Sequence, residues 1–284
     1  QTAYVHTKHS IFANMKEFKD DRFNEKYIYS FMLTVQHGED TIFVAHQQPY
    51  TYSLLQSTLL NVKGHKYLQH SVLCKSNEGR NCDLLVIQDG LQREEKERKS
   101  KQILFLVGRS KASDCVSSWL MDGFLHFMLS ENAIAKSIRN DFDVYLVPML
   151  NPDGVDLGHK IGNAKGIHLD KMFANPSKKC APTIYYTKKL IRHLTRSVKF
   201  GKIALFCSLK GDSSRMGCYM KGVDDDHVDN MMDESSMDQP SSWDLVCSLM
   251  SRTKLMDCRH CKFESKKDIG IRCGYLQRIK RILG

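Results

Sequence analysis

The spacing of apolar positions changes character along the chain. Residues 27–53, "YIYSFMLTVQHGEDTIFVAHQQPYTYS", alternate apolar and polar positions on either side of "QHGED", where Gly38 permits a tight turn. That alternation predicts a β-hairpin. Past Pro49 the period lengthens: Leu54, Leu55, Leu59 and Leu60 recur at helical spacing. "SVLCKSNEGRNCDLLVIQDG" predicts a second hairpin, with strands near 71–75 and 82–88 and a turn at "SNEGRN". The charged stretch 92–102, "QREEKERKSKQ", reads as a solvated connector.

Three later runs are apolar without interruption: "ILFLVG" (103–108), "DVYLVPML" (143–150) and "IALFCSL" (203–209). Unbroken runs of this length fit strands buried on both faces. Helical patterns fall between them, at about 115–130 and around "TIYYTKKLIRHLTRSV". Strands and helices in this order predict an α/β domain with a mixed, largely parallel central sheet flanked by helices. Ligands in such sheets bind beyond the carboxyl ends of the strands, which draws attention to Lys111 and Asp114, just past "ILFLVG". Residues 223–242, acidic and rich in Ser and Met, lack an apolar period and are expected to form a flexible surface insertion. Calcium coordination by Asp224, Asp226 and Asp229 would need a glycine and a distal glutamate that the stretch does not supply.

Composition is ordinary for a globular chain, with 42% hydrophobic and 26% charged residues. No apolar run approaches the roughly 20 residues of a membrane helix, so no membrane partner is expected. The ten cysteines lie mostly inside apolar segments, as free thiols do in a reducing cytosol. Cys258 and Cys261 in "DCRHC" have zinc-knuckle spacing, but Cys273 has no partner beside it to complete a second half. The net charge of +10 favours acidic partners. It is spread over several helical stretches and forms no nucleic-acid motif, so solvated helix faces are the simpler reading. The start at Gln1 and the end at "LQRIKRILG" fit a chain cut from a longer one.

Several stretches, in order, resemble the cytosolic carboxypeptidases, a subfamily of zinc metallocarboxypeptidases that trims glutamates from tubulin and other acidic tails. "FVAHQQPYTYSLLQ" is similar to the family's aromatic segment at the end of its N-terminal β-domain, and "VLCKSNEGRNCDLLVI" to the hairpin that follows. "SSWLMDGFLHFMLS" resembles the family's first helix and "VPMLNPDGV" its Pro-Met-Leu-Asn-Pro-Asp-Gly stretch, while "APTIYYTKKLI" and "CKFESKK" fit later segments. The resemblance implies a metallocarboxypeptidase-like fold. Residues 1–90 would be part of a small N-terminal β-domain and residues 91–284 the α/β domain, with the family's general-base glutamate falling beyond the end of the chain.

The resemblance fails where the chemistry should be. The family's His-x-x-Glu zinc turn falls on Lys111 and Asp114, and the histidine of its later His-Gly-His-Ser turn falls on Lys210, with Asp212 at the second histidine. A protonated ammonium has no lone pair, whereas zinc takes imidazole, thiolate or carboxylate. No zinc cofactor is therefore expected. The Asn-Arg pair that grips a terminal carboxylate becomes Asp170 and Lys171, which loses the two-pronged guanidinium and adds a repelling charge. The upstream carbonyl-polarising arginine falls on Ile161, or on Lys160 one residue earlier. An ion pair from Asp114 to one of the lysines is expected, with Asp212 near the other. Together these changes imply an inactive carboxypeptidase relative acting as a structural or binding module. Its partner would be an acidic protein such as tubulin or an axonemal assembly, in the cytoplasm and on microtubules or cilia. An active zinc carboxypeptidase with ligands displaced to His168, His126 or His159 beside Asp114 is the alternative.

Overall fold

The unbroken apolar runs become the middle of a sheet. The computed structural model describes residues 4–6, 11–18, 26–33, 42–45, 47–89, 101–197, 200–211, 217–223, 248 and 252–264, and the statements below concern these. They form two compact units, 1–49 and 50–284.

In the first unit, strand β1 (Tyr4–His6) pairs antiparallel with β4 (Phe43–Ala45), and β2 (Ile11–Phe18) pairs antiparallel with β3 (Lys26–Leu33). The hairpin expected over 27–53 is thus corrected. Both of its strands exist, but each pairs with an earlier strand, because alternation specifies a strand and its faces without specifying its neighbour.

The second unit opens with helix α1 (Tyr52–Asn61), whose N-cap Thr51 accepts a hydrogen bond from Leu54 N at 3.1 Å. Strands β5 (Leu68–Lys75), β6 (Asn81–Ile87), β7 (Gln102–Val107), β8 (Phe142–Val147) and β9 (Ile203–Ser208) make one sheet in the order β5-β6-β8-β7-β9. The β5/β6 and β6/β8 pairings are antiparallel, and β7/β8 and β7/β9 parallel. The sheet is therefore evenly mixed. A domain boundary near residue 90 would cut between β6 and β7 of this one sheet; the compact units divide at Pro49 instead. The charged stretch after residue 90 falls inside the unit, because β6 hydrogen-bonds to β8 across it.

Successive residues of the inner strands feed opposite faces. Leu85, Ile87, Leu106, Val144 and Leu146 pack with Met121, Leu125 and Met128 of α2 (Cys115–Leu129). Val86, Phe105, Val107, Tyr145 and Val147 pack with Ile184, Ile191 and Leu194 of α5 (Pro182–Arg196). Each such side chain contributes about 1.5–3 kcal/mol on full burial, so these two layers dominate the stability of the sheet.

Two helices escape the sequence pattern. In α3 (Ala133–Asp141) only Ala135 and Arg139 are buried, too few to produce a visible apolar period. The short α4 (Pro152–Asp156) is set by chemistry instead: Asn151 caps it through Gly154 N at 3.0 Å, and proline begins it. β10 (Lys221–Val223) and β11 (Lys262–Glu264) form a small parallel pair. Of the solvated connector expected over 92–102, the end is corrected, since Lys101 is buried and Gln102 opens β7; residues 92–100 and the acidic insertion beyond Val223 lie outside the described residues. Among the described residues, no helix is long and apolar enough to cross a membrane.

Candidate functional site

Parallel strands β7 and β9 deliver the chain to the same edge of the sheet, and Asp114 joins the two loops that leave it. As N-cap of α2 it accepts Ser117 N at 3.1 Å, and the same Oδ1 accepts Gly211 N at 2.9 Å from the loop after β9. Only glycine permits that approach. A Cβ at 211 would sit 2.7 Å from Asp114 Oδ1 and collide with Val116 Cβ. Asp114 is 8% exposed, and burial pushes its carboxyl above the usual aspartate value, against the lowering effect of the two amides and of the Arg109 and Lys111 charges.

The ion pair at the site differs from the one expected. Lys210, next to Gly211, places Nζ 2.7 Å from Oδ2 of Asp170, while Asp114 is taken up by backbone amides. Asp170 lies in a turn of 3-10 helix, Leu169–Met172, that follows His168. The lysine expected at the zinc-ligand turn is thereby tied to the aspartate expected at the carboxylate-gripping position. Lys111 is half-buried and Lys171 exposed. Among the described residues, Lys111 forms no ion pair. His168 feels Asp170, Lys111, Lys171 and Lys210 together, which brings the residues on these three loops into one electrostatic neighbourhood. Burial lowers its imidazole pKa below the ordinary value, the three lysines lower it further, and Asp170 opposes them. Two atoms of the site find no partner among the described residues: His168 Nδ1 and Asp170 Oδ1 are buried without a hydrogen bond there. Asp212 lies outside the described residues.

The remaining sequence candidates have other partners. His126 stands 3.9 Å from Asp122 one helical turn away, and His159 Nδ1 contacts the Asn163 carbonyl at 3.0 Å. Ile161 is 39% exposed, and its carbonyl and that of Gly162 accept from Asn151 Nδ2 at 3.3 and 3.0 Å. Lys160 is exposed, and its carbonyl accepts Ser113 N at 3.1 Å, closing the loop around Lys111. Cys261 is buried, with Met220 N 3.3 Å from its sulfur.

Sequence reasoning missed the residues that hold this frame. Arg109 follows β7 with φ of 51° and is 3% exposed; its guanidinium donates to Ala112 O at 2.9 Å and Ser118 Oγ at 3.1 Å and lies 3.4 Å from Cys115 Sγ. A charged residue directly after an apolar run was the available signal. Asp153, 2% exposed, accepts Ser76 Oγ at 2.6 Å, Glu78 N at 3.1 Å and Arg80 Nη1 at 3.0 Å, so the β5–β6 turn is pinned to α4. Nothing in the local pattern around "NPDG" announces so distant a set of donors.

The zinc that the family resemblance implies does not fit these residues. Asp114 Oδ1 is committed to two amides, Lys210 to a carboxylate, and neither protonated lysine has a lone pair to offer. Among the described residues there is no group of three or more His, Cys, Asp or Glu side chains able to hold a metal ion.

The relationships of the chain agree with its architecture. Residues 63–183 match the zinc carboxypeptidase family. The chain is 32% identical over 205 residues to cytosolic carboxypeptidase 1 of Danio rerio, covering 69% of this chain and 18% of that protein. It is 32% identical over 207 residues to cytosolic carboxypeptidase 2 of Mus musculus, covering 72% and 24%. The chain thus spans about a fifth of the length of these relatives. Its fold matches a metallo-carboxypeptidase from Burkholderia cenocepacia with a TM-score of 0.70 at 15% identity, covering 92% of this chain and 63% of the other. A metallo-carboxypeptidase from Pseudomonas aeruginosa, in complex with (2-guanidinoethylmercapto)succinic acid, matches with a TM-score of 0.70 at 17% identity, covering 99% and 69%. The chain belongs to the zinc carboxypeptidase family. Within that family its relatives are the cytosolic carboxypeptidases.

Proposed function

We propose that this chain is a carboxypeptidase scaffold without zinc-dependent peptidase chemistry, serving as a structural or binding module for an acidic polypeptide. Tubulin or an axonemal assembly, in the cytoplasm and on microtubules or cilia, is the partner class that follows from the family. The observation that carries this reading is the 2.7 Å pair between Lys210 and Asp170, which sets an ammonium between two positions where the family keeps a metal ligand and a substrate anchor. Without a bound dication, nothing brings the pKa of an attacking water toward neutrality or polarises a scissile carbonyl. Lys111, Lys171 and Lys210 all act on His168, and this gathering of ammonium groups supports a carboxylate-bearing partner.

Metal analysis of the purified chain, together with an assay on a polyglutamate-tailed peptide, tests the chemistry. The expected result is substoichiometric zinc and no glutamate release. Stoichiometric zinc with release would establish the active carboxypeptidase instead. Co-pelleting with microtubules tests the partner: binding should fall when their acidic tails are removed, and binding unchanged by tail removal would rule out recognition through the lysines.

A further inference from the structure

We propose that Cys74 and Cys82 form a dithiol that closes reversibly to a disulfide across strands β5 and β6. The two cysteines are directly opposite one another in the antiparallel register, where β5 carries an irregularity between Val72 and Cys74. Cα atoms directly opposite in such a pair lie about 4.5–5.5 Å apart, inside the window of about 4.4–6.8 Å that a disulfide spans. Both side chains point to the same face of the sheet, in the cluster that includes Val86, Phe105 and Ile184. Both thiols are free.

The pair is asymmetric. Cys82 is fully buried, whereas Cys74 is half-buried. Cys82 has one proton and two acceptors in reach, the Met149 carbonyl at 3.7 Å and the Cys74 sulfur. The hydrogen bond from Cys82 lowers the Cys74 pKa, and the same bond together with burial raises that of Cys82. Cys74 is therefore the attacking group and Cys82 the resolving one.

With oxidised glutathione as the oxidant, the Cys74 thiolate attacks one glutathione sulfur, the glutathione disulfide breaks, and one glutathione leaves as thiolate. Cys82 then gives up its proton, and its thiolate attacks the Cys74 sulfur of the mixed disulfide. The second glutathione leaves and takes up the proton. Two protein thiols are oxidised by two electrons, and one disulfide is reduced to two thiols. The cross-link would close the base of the 76–80 turn, whose Ser76, Glu78 and Arg80 hold Asp153 and whose Asn77 donates to Lys179 O at 2.9 Å. Oxidation would thus stiffen the clamp on α4.

The test exposes the reduced full chain to excess oxidised glutathione, alkylates the remaining thiols and maps the peptides by mass spectrometry. The expected product links Cys74 to Cys82 with the loss of two hydrogens and reverts with dithiothreitol. Cys74→Ser should abolish the link and leave Cys82 unmodified, while Cys82→Ser should accumulate a glutathione adduct on Cys74. The proposal is overturned if the wild-type pair stays reduced while other cysteines react, or if wild-type Cys74 accumulates the adduct without passing it to Cys82. Should Cys82→Ser fail to fold, the wild-type map and the Cys74→Ser chain decide the matter.

Discussion

Asp153 and Asp170 are both nearly buried carboxylates at the rim of the same sheet, 2% and 8% exposed, and they differ in what surrounds their oxygens. Asp153 is met by a hydroxyl, an amide and a guanidinium, so one turn and one helix are fixed together. Asp170 has an ammonium on Oδ2, while its Oδ1 and His168 Nδ1 are buried without a hydrogen-bond partner among the described residues. A fully satisfied polar network rigidifies, and a half-satisfied one costs free energy. The frame of the carboxypeptidase fold is thus tight where it carries no chemistry and loose where the family's chemistry would be.

Breaking the tight side should have the largest effect. Asp153→Ala strands two donors, Ser76 Oγ and Glu78 N, and leaves Arg80 with Asp156 alone; it should cost about 3 kcal/mol, read as a lower urea midpoint at unchanged slope. Next comes Asp114→Ala, which removes the cap of α2 and the acceptor for Gly211 N; the expected cost is about 2 kcal/mol, with Asp114→Asn recovering most of it. The Lys210–Asp170 pair is partly solvated, so a double-mutant cycle with Lys210→Met and Asp170→Asn should give a coupling of only about 1 kcal/mol. A coupling as large as the Asp153 effect would abolish the contrast.

The smallest effect is a pH dependence. His168 titrates below its ordinary 6.5 in the folded chain, so the unfolded chain binds the proton first on acidification. Its contribution to stability is complete above 6.5 and is lost as pH falls through the folded value. His168→Asn should flatten that part of the stability profile, and an unchanged profile would show that the imidazole is not held neutral.

The inner strands were legible because burial on both faces leaves an unmistakable apolar run, as in "ILFLVG" and "DVYLVPML". Strand partners were not, and β3 and β4 were wrongly paired, since register depends on distant neighbours. At the site, the resemblance points to Lys111, Asp114 and Lys210, but not to the choice of Asp170 over Asp114 as the partner of Lys210. That choice follows from Gly211, whose missing side chain lets a backbone amide reach Asp114 first. The roles of Arg80 and Arg109 depend on contacts that only the folded chain assembles.

The tie between Lys210 and Asp170 also has a kinetic meaning. The two residues are 40 positions apart, with α5 and all of β9 between them, so the contact is expected to close only after that helix has docked and β9 has zipped onto β7. Interactions made this late are absent from the folding barrier. The pair is therefore expected to act as a latch on escape from the native state: Lys210→Met should speed unfolding and leave the refolding rate unchanged when both are read by stopped flow.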